Sequence, residues 1–288
     1  MKTLRQYIKE AEEKGIAIGH FNISNLETLR GIFNVAKKLD LPVIIGTAEG
    51  ERKFIGTKQV VALVKSLREE YNFPIFLNAD HTKTVEGVKE VIDAGYDAVI
   101  FDGTDLSYDE NLRLTKECVE YARKVNPEII IEAELGFIGA SSKVLEKIPE
   151  GVKITEEFLT KPEEAVKFVE ATGIDMLAPA VGNIHGMLKG GVDPALNINV
   201  VKNINNAVSI PLVLHGASGN SKDDIQAAIK AGMSVVHVNT EIRVAFRKAL
   251  EESLSAKPEE VSPYKYMDKC IEAVEKVVEE KMKIFNFI

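Results

Sequence analysis

Cysteine is scarce. The 288-residue chain carries two, Cys118 and Cys270, both inside helical patterns and not in a paired framework. That excludes a disulfide scaffold and points to a reducing compartment. An excess of basic residues is also lacking. Lysine and arginine number 36 against 44 aspartates and glutamates, a net charge of −8, so no broad field draws the chain to nucleic acid or to an anionic membrane. Any phosphate site must then be local. No apolar run approaches the roughly 18 residues of a membrane span, and residues 1–15 are charged and amphipathic without an apolar leader core. The chain reads as a cytoplasmic protein with no nucleic-acid or membrane partner. Its composition is ordinary for a globular domain, and a chain this long buries roughly three-quarters of its unfolded surface without help from disulfides or structural metal. No linker or low-complexity tract divides it, so residues 1–288 read as one domain.

What the chain does contain is an alternation. Short apolar runs occur at residues 16–22, 42–47, 74–79, 97–102, 128–133, 174–180, 210–216 and 234–240. Runs that are apolar on both faces suit parallel strands covered by helices. Between them lie segments with apolar residues three and four apart, such as LETLRGIFNVAKKL and TVEGVKEVIDAG. Several end in glycine just before the next run, where a left-handed C-cap and a short turn are needed. Eight strand-helix repeats predict a (β/α)8 TIM barrel of the α/β class. A doubly wound open sheet is the alternative, but no glycine-rich dinucleotide fingerprint follows the first run. Two segments exceed the repeat. Residues 137–161 read as a long active-site loop after the fifth strand, and residues 262–283 as an extra C-terminal helix packed on the barrel or on another subunit.

In such a barrel, chemistry sits at the C-terminal ends of the strands. All five histidines, His20, His81, His185, His215 and His237, fall at or near predicted strand ends. A histidine taken alone is more often a satisfied structural residue. Three imidazoles with an open fourth position form a standard catalytic zinc arrangement, and His81, His185 and His215 come from strands whose ends converge. Spacing alone leaves both readings open. Gly182, Gly186, Gly216 and Gly219 flank two of these histidines and leave backbone N–H groups uncovered, as in phosphate-binding nests. Ser218, Asn239, Thr240 and Lys189 add donors and a charge; the alternative is that the glycines merely serve turns. Asp80, beside His81, suits either a helix N-cap or a general acid/base.

These residues carry a resemblance. In order and spacing, GHFNISNLE, NADHT, IEAELGFIG, GIDMLAPAVGNIHGMLK, IPLVLHGASG and NTEIRVAF are similar to the class II, zinc-dependent ketose-bisphosphate aldolases that act on fructose or tagatose bisphosphate. The resemblance runs over essentially the whole chain. It implies an aldehyde-lyase that reversibly cleaves fructose 1,6-bisphosphate to dihydroxyacetone phosphate and glyceraldehyde 3-phosphate. It assigns His81, His185 and His215 to Zn2+ and Asp80 to the proton of the C4 hydroxyl. Glu134 resembles a carboxylate that approaches a second or displaced metal position. Gly182, Lys189, Gly216, Ser218, Asn239 and Thr240 resemble the cradle for the donor phosphate, helped by a monovalent cation, Na+ or K+. A homodimer or homotetramer follows from the same likeness.

The chain also departs from the family. The family loop after the fifth strand carries a glutamate proposed as base for the donor proton; here it reads Gly139-Ala140-Ser141-Ser142-Lys143. His237 stands where an asparagine contacts the reacting donor, so it is a second catalytic candidate, with a structural histidine as the alternative. Ser262-Pro263-Tyr264 replaces an Asp-Pro-Arg element whose arginine grips the distal phosphate, and Ala48 aligns with a substrate-contacting serine. Arg52 or Lys53, or a partner subunit, is then a candidate for that phosphate. These departures leave room for tagatose 1,6-bisphosphate or another aldehyde acceptor, including an unphosphorylated one. A reading of a different class is a non-catalytic structural or binding subunit, against which the retained histidines and Asp80 argue.

Overall fold

The computed structural model describes residues 1–139, 143–148, 159–189 and 193–288. The strands among them are β1 Ile18–Asn22, β2 Val43–Thr47, β3 Ile75–Thr82, β4 Ala98–Phe101, β5 Ile130–Leu135, β6 Val144–Leu145, β7 Met176–Pro179, β8 Met187–Leu188, β9 Leu212–Leu214 and β10 Met233–Val238. The helices are α1 Leu4–Lys14, α2 Leu26–Leu39, α3 Glu49–Ile55, α4 Thr57–Tyr71, α5 Val85–Ala94, α6 Tyr108–Val125, α7 Pro162–Thr172, α8 Ile198–Ala207, α9 Lys222–Lys230, α10 Thr240–Ala256, α11 Pro263–Tyr266 and α12 Asp268–Asn286. Eight strands close a parallel barrel in the order β1-β10-β9-β7-β5-β4-β3-β2. Each arises from one of the eight apolar runs. The small β6 and β8 pair separately, outside the barrel. Much of the long loop expected at 137–161 lies outside the described residues, including Ala140, Ser141 and Ser142.

The helices follow their local signals. In α5 the Thr84 hydroxyl accepts the Gly87 N–H at 3.0 Å, Val85, Val88, Val91 and Ile92 are buried, and Gly95 closes the helix at φ 96°. Gly232, the glycine just before β10, follows the C-cap of α9 by one residue, because Ala231 caps that helix in a right-handed conformation. Gly232 is required by φ 126° and by Asn205, whose Cγ would lie 2.2 Å from an added Cβ. The extra C-terminal helix, α12, packs on its own barrel through Val274, Val278, Met282 and Phe285, and the Ala17 N–H donates to the Phe285 carbonyl at 3.1 Å.

The two-residue period of the strands stacks the barrel interior in layers. Its floor is apolar: Ile18, Ile44, Phe76, Ala98, Ile130, Met176, Val213 and Val235 form one cluster with Leu4, Ile8 and Ala11 of α1. Helix α1 therefore plugs the bottom, its start fixed by a capping box between Thr3 and Gln6. Burying each of Leu4 and Ile8 contributes about 1.5–3 kcal/mol. Two residues further along the same strands the side chains are His20, Asn78, Glu132, His215 and His237, all buried. Two further again come Asn22, Asp80 and Glu134. Gly46 makes room for this polar layer, since a Cβ there would come within 2.2 Å of the His20 ring.

Candidate active site

The polar layers end in one cluster. Ligand-type atoms of His81, Glu134, His185 and His215 all lie within 4.8 Å of one another. The rings of His81 and His185 are centred 4.6 Å apart, those of His81 and His215 5.2 Å, and those of His185 and His215 5.7 Å. Asp80 and His81 are consecutive, and a regular strand would send them to opposite faces. The register of β3 against β4 shifts between Ala79 and Thr82, and His81 takes φ 44°. This irregularity turns both side chains toward the cluster, against a left-handed backbone cost of roughly 1–2 kcal/mol. Thr84, not Asp80, is the N-cap of the following helix, which settles that alternative.

Each of the three imidazoles is held by one nitrogen. His81 Nδ1 lies 3.1 Å from Asp102 Oδ2 and 2.8 Å from Glu134 Oε1. His185 Nδ1 donates to the Gly139 carbonyl at 2.6 Å. His215 Nε2 is bonded to Glu132 Oε1 at 2.8 Å. Metal-binding histidines are oriented in this way, one nitrogen on a protein acceptor and the other toward the ion. Glu134 Oε1 stands 3.7 Å from His215 Nδ1, a buried atom without a hydrogen-bond partner among the described residues. Three imidazoles and a carboxylate gathered around an unpartnered imidazole nitrogen suit Zn2+. The sequence reading misses Asp102 and Glu132 as the groups that orient these rings. Glu132 could have been found from strand alternation, since it shares a face with Glu134.

Beside the cluster, Asp80 Oδ2 accepts from Asn22 Nδ2 at 2.8 Å, and its Oδ1 lies 3.6 Å from His237 Nδ1 and 3.8 Å from His81 Nε2. Burial alone would raise the Asp80 pKa, but His81, His237 and His20 hold it well below the usual range. Burial likewise opposes protonation of His81, and Asp80, Glu134 and Asp102 outweigh it, raising its pKa. His185 and His20 are pushed down to about 4, chiefly by burial. His237 is also held well below its ordinary value by burial and the neighbouring histidines. It is stacked between His20, 3.5 Å away, and His215, 4.2 Å away. His20 is thus a wall of the barrel interior rather than a residue of its rim, and among the described residues both its nitrogens lack partners.

Gly186, Gly216, Ser218, Asn239 and Thr240 line the same cavity as Asp80 and the three histidines. Gly216 sits at φ 65° against the Ile184 carbonyl, which an added Cβ would meet at 2.1 Å. The Ser218 hydroxyl accepts the Asn239 and Glu241 N–H groups at 3.4 and 3.5 Å, at the N-terminus of α10. A helix start of this kind favours an anion. Two cradle candidates are not brought there. Lys189 is exposed and paired with Glu146 at 2.8 Å on the small β6–β8 sheet. Gly182 takes φ 100° in the turn after β7, apart from the cavity lining. Arg52 is corrected as well. It is buried, donating to the Thr47 and Asp80 carbonyls and to Thr82 Oγ1, so it ties β2 to β3 instead of facing a ligand.

The comparisons with known proteins meet this geometry. The family model "Fructose-bisphosphate aldolase class-II" matches residues 2–288. The chain belongs to the class II fructose-bisphosphate aldolase family. The fructose-bisphosphate aldolase of Geobacillus stearothermophilus is 37% identical over 287 residues, covering 99% of this chain and 96% of its relative. That of Staphylococcus aureus strain Mu50 is 35% identical over the same length and the same shares. The crystal structure of the YdjI aldolase from Escherichia coli K12 superposes with a TM-score of 0.80 at 30% identity, covering 99% of this chain and 96% of that one. Class II aldolases are lyases that depend on zinc in general, and the (β/α)8 barrel places this chain's histidine cluster where they work. No helix among the described residues is long and apolar enough to cross a membrane.

Proposed function

We propose that this chain is a zinc-dependent aldolase that reversibly cleaves fructose 1,6-bisphosphate to dihydroxyacetone phosphate and glyceraldehyde 3-phosphate. The observation that carries this reading is the convergence of His81, His185 and His215, each fixed through one nitrogen by Asp102, Gly139 and Glu132, beside the buried Asp80. Bound there, Zn2+ supplies Lewis-acid polarisation of the donor ketone. Asp80 then takes the C4 hydroxyl proton as the C3–C4 bond breaks and returns it when the bond forms. Asn22 holds that carboxylate in place through one oxygen. His237, stacked and neutral, borders the donor side of Asp80, where its ring orients the donor oxygens. The N–H groups near Gly216, the Ser218 hydroxyl and the start of α10 hold the donor phosphate, so the reacting carbons face Asp80. A lysine Schiff base is not required. The homodimer or homotetramer stays part of this reading, and light scattering on the purified protein tests it.

The test is turnover of fructose and tagatose 1,6-bisphosphates by the purified protein, zinc-loaded and after chelation. Chelator-sensitive cleavage favouring the fructose isomer is the expected result. Cleavage favouring tagatose bisphosphate would reverse the stereochemical assignment. Zinc binding without turnover of either would replace the enzyme reading with a binding role.

A further inference from the structure

We propose that Lys281, buried on the C-terminal helix, is a positioning residue for the donor half of the reaction, holding the start of α10 in place through Glu241. This rests on the aldolase reading and gives Lys281 no contact with substrate. The helix at the edge of the donor cradle is weakly anchored by its own sequence. Asn239, its N-cap, makes no side-chain capping bond among the described residues, so N–H groups of the first turn are left for an anion. Of the 17 residues of α10, only Thr240, Ile242 and Ala249 are buried. Its main packing is along α12. That C-terminal helix in turn packs on β1, α2 and α9, the place a helix after the last strand holds in a regular repeat.

What fixes the start of α10 therefore comes from outside it. The Ser218 hydroxyl accepts the Glu241 N–H at 3.5 Å, and the Glu241 carboxylate meets Lys281 Nζ at 2.8 Å. Lys281 is the one buried lysine among the described residues, and Val278, Met282 and Phe285 of the same helix are buried with it. Lysine is almost never buried unless it is paired, because taking an ammonium out of water is costly. The amine stays buried only while Glu241 holds its place, which locks the first turn of α10 to α12. The pair also balances a charge. Glu241 stands in that first turn, close to where the donor phosphate is received, and without Lys281 its carboxylate would repel the donor.

The experiment is condensation of dihydroxyacetone phosphate with glyceraldehyde 3-phosphate by zinc-loaded wild type and Lys281→Met, with KM read separately for donor and acceptor. Lys281→Met keeps the apolar stem. It is expected to raise KM for dihydroxyacetone phosphate about 5- to 30-fold, while KM for glyceraldehyde 3-phosphate and zinc content stay at wild-type values. In a Glu241→Gln background the same change is expected to have little further effect, because the two residues act as one unit. Lys281→Gln, which keeps a polar head for Glu241, carries the same test should Lys281→Met fail to fold. An unchanged donor KM overturns the proposal and leaves the aldolase reading standing. So does a rise shared equally by donor and acceptor, or one undiminished in the Glu241→Gln background. Wild type that does not condense the two substrates overturns both readings.

Discussion

The two halves of one barrel interior are built from the same strands and do opposite work. At the floor, Ile18, Phe76 and Ile130 pack with α1 into an apolar plug. Two to four residues along, β1, β3 and β5 carry His20 and Asn22, Asn78 and Asp80, Glu132 and Glu134, all buried. The upper half pays desolvation that the floor avoids, and it is tolerable only because carboxylates and imidazoles face one another. Stability therefore resides at the N-terminal ends of the strands and chemistry at the C-terminal ends. Substitutions should separate accordingly.

The largest effect belongs to the upper half. Asp80→Asn keeps the shape and the Asn22 contact but removes the proton acceptor, so kcat for bisphosphate cleavage should fall about 10²- to 10⁴-fold. The melting temperature should change little, and a variant that unfolds instead would break the division. At the floor, Phe76→Ala leaves a cavity under α1 and should lose about 3–5 kcal/mol of stability in denaturant titrations. Its kcat at a temperature where it remains folded should match wild type; a comparable loss of kcat would show that the halves are coupled. Between these lies Glu132→Gln, which leaves His215 in the barrel but weakens its orientation. Zinc affinity should fall about 10- to 100-fold in competition with a chelator. The smallest effect is Thr3→Ala, which removes one half of the α1 capping box and should cost about 1 kcal/mol with no change in zinc affinity.

Much of this arrangement is legible in the amino-acid order, because barrel strands declare themselves. Each is buried on both faces, and each of the eight apolar runs becomes one. His81, His185 and His215 could be grouped because their strands end at a common rim. What orients them is not local. Glu132 and His215 are 83 residues apart and Asp102 and His81 21 apart, and no spacing rule joins them. The same holds for Arg52, whose charge suggests a ligand but whose donors are taken by backbone carbonyls of β2 and β3. Lys189 fails for a related reason. It follows a histidine closely in sequence, yet the turn after β7 carries it onto the β6–β8 sheet. His20 lies deeper than a rim residue because β1 continues two residues past it, a difference set by strand length alone.

The proposed chemistry needs a metal ion held by three imidazoles at the top of the barrel. A crystal soaked in zinc and measured at the zinc absorption edge tests this most directly. One anomalous peak about 2.0–2.1 Å from a nitrogen of each of His81, His185 and His215 is the predicted result. A peak lodged instead among His20, Asp80 and His237, or no peak in protein that still cleaves the bisphosphate, would contradict it.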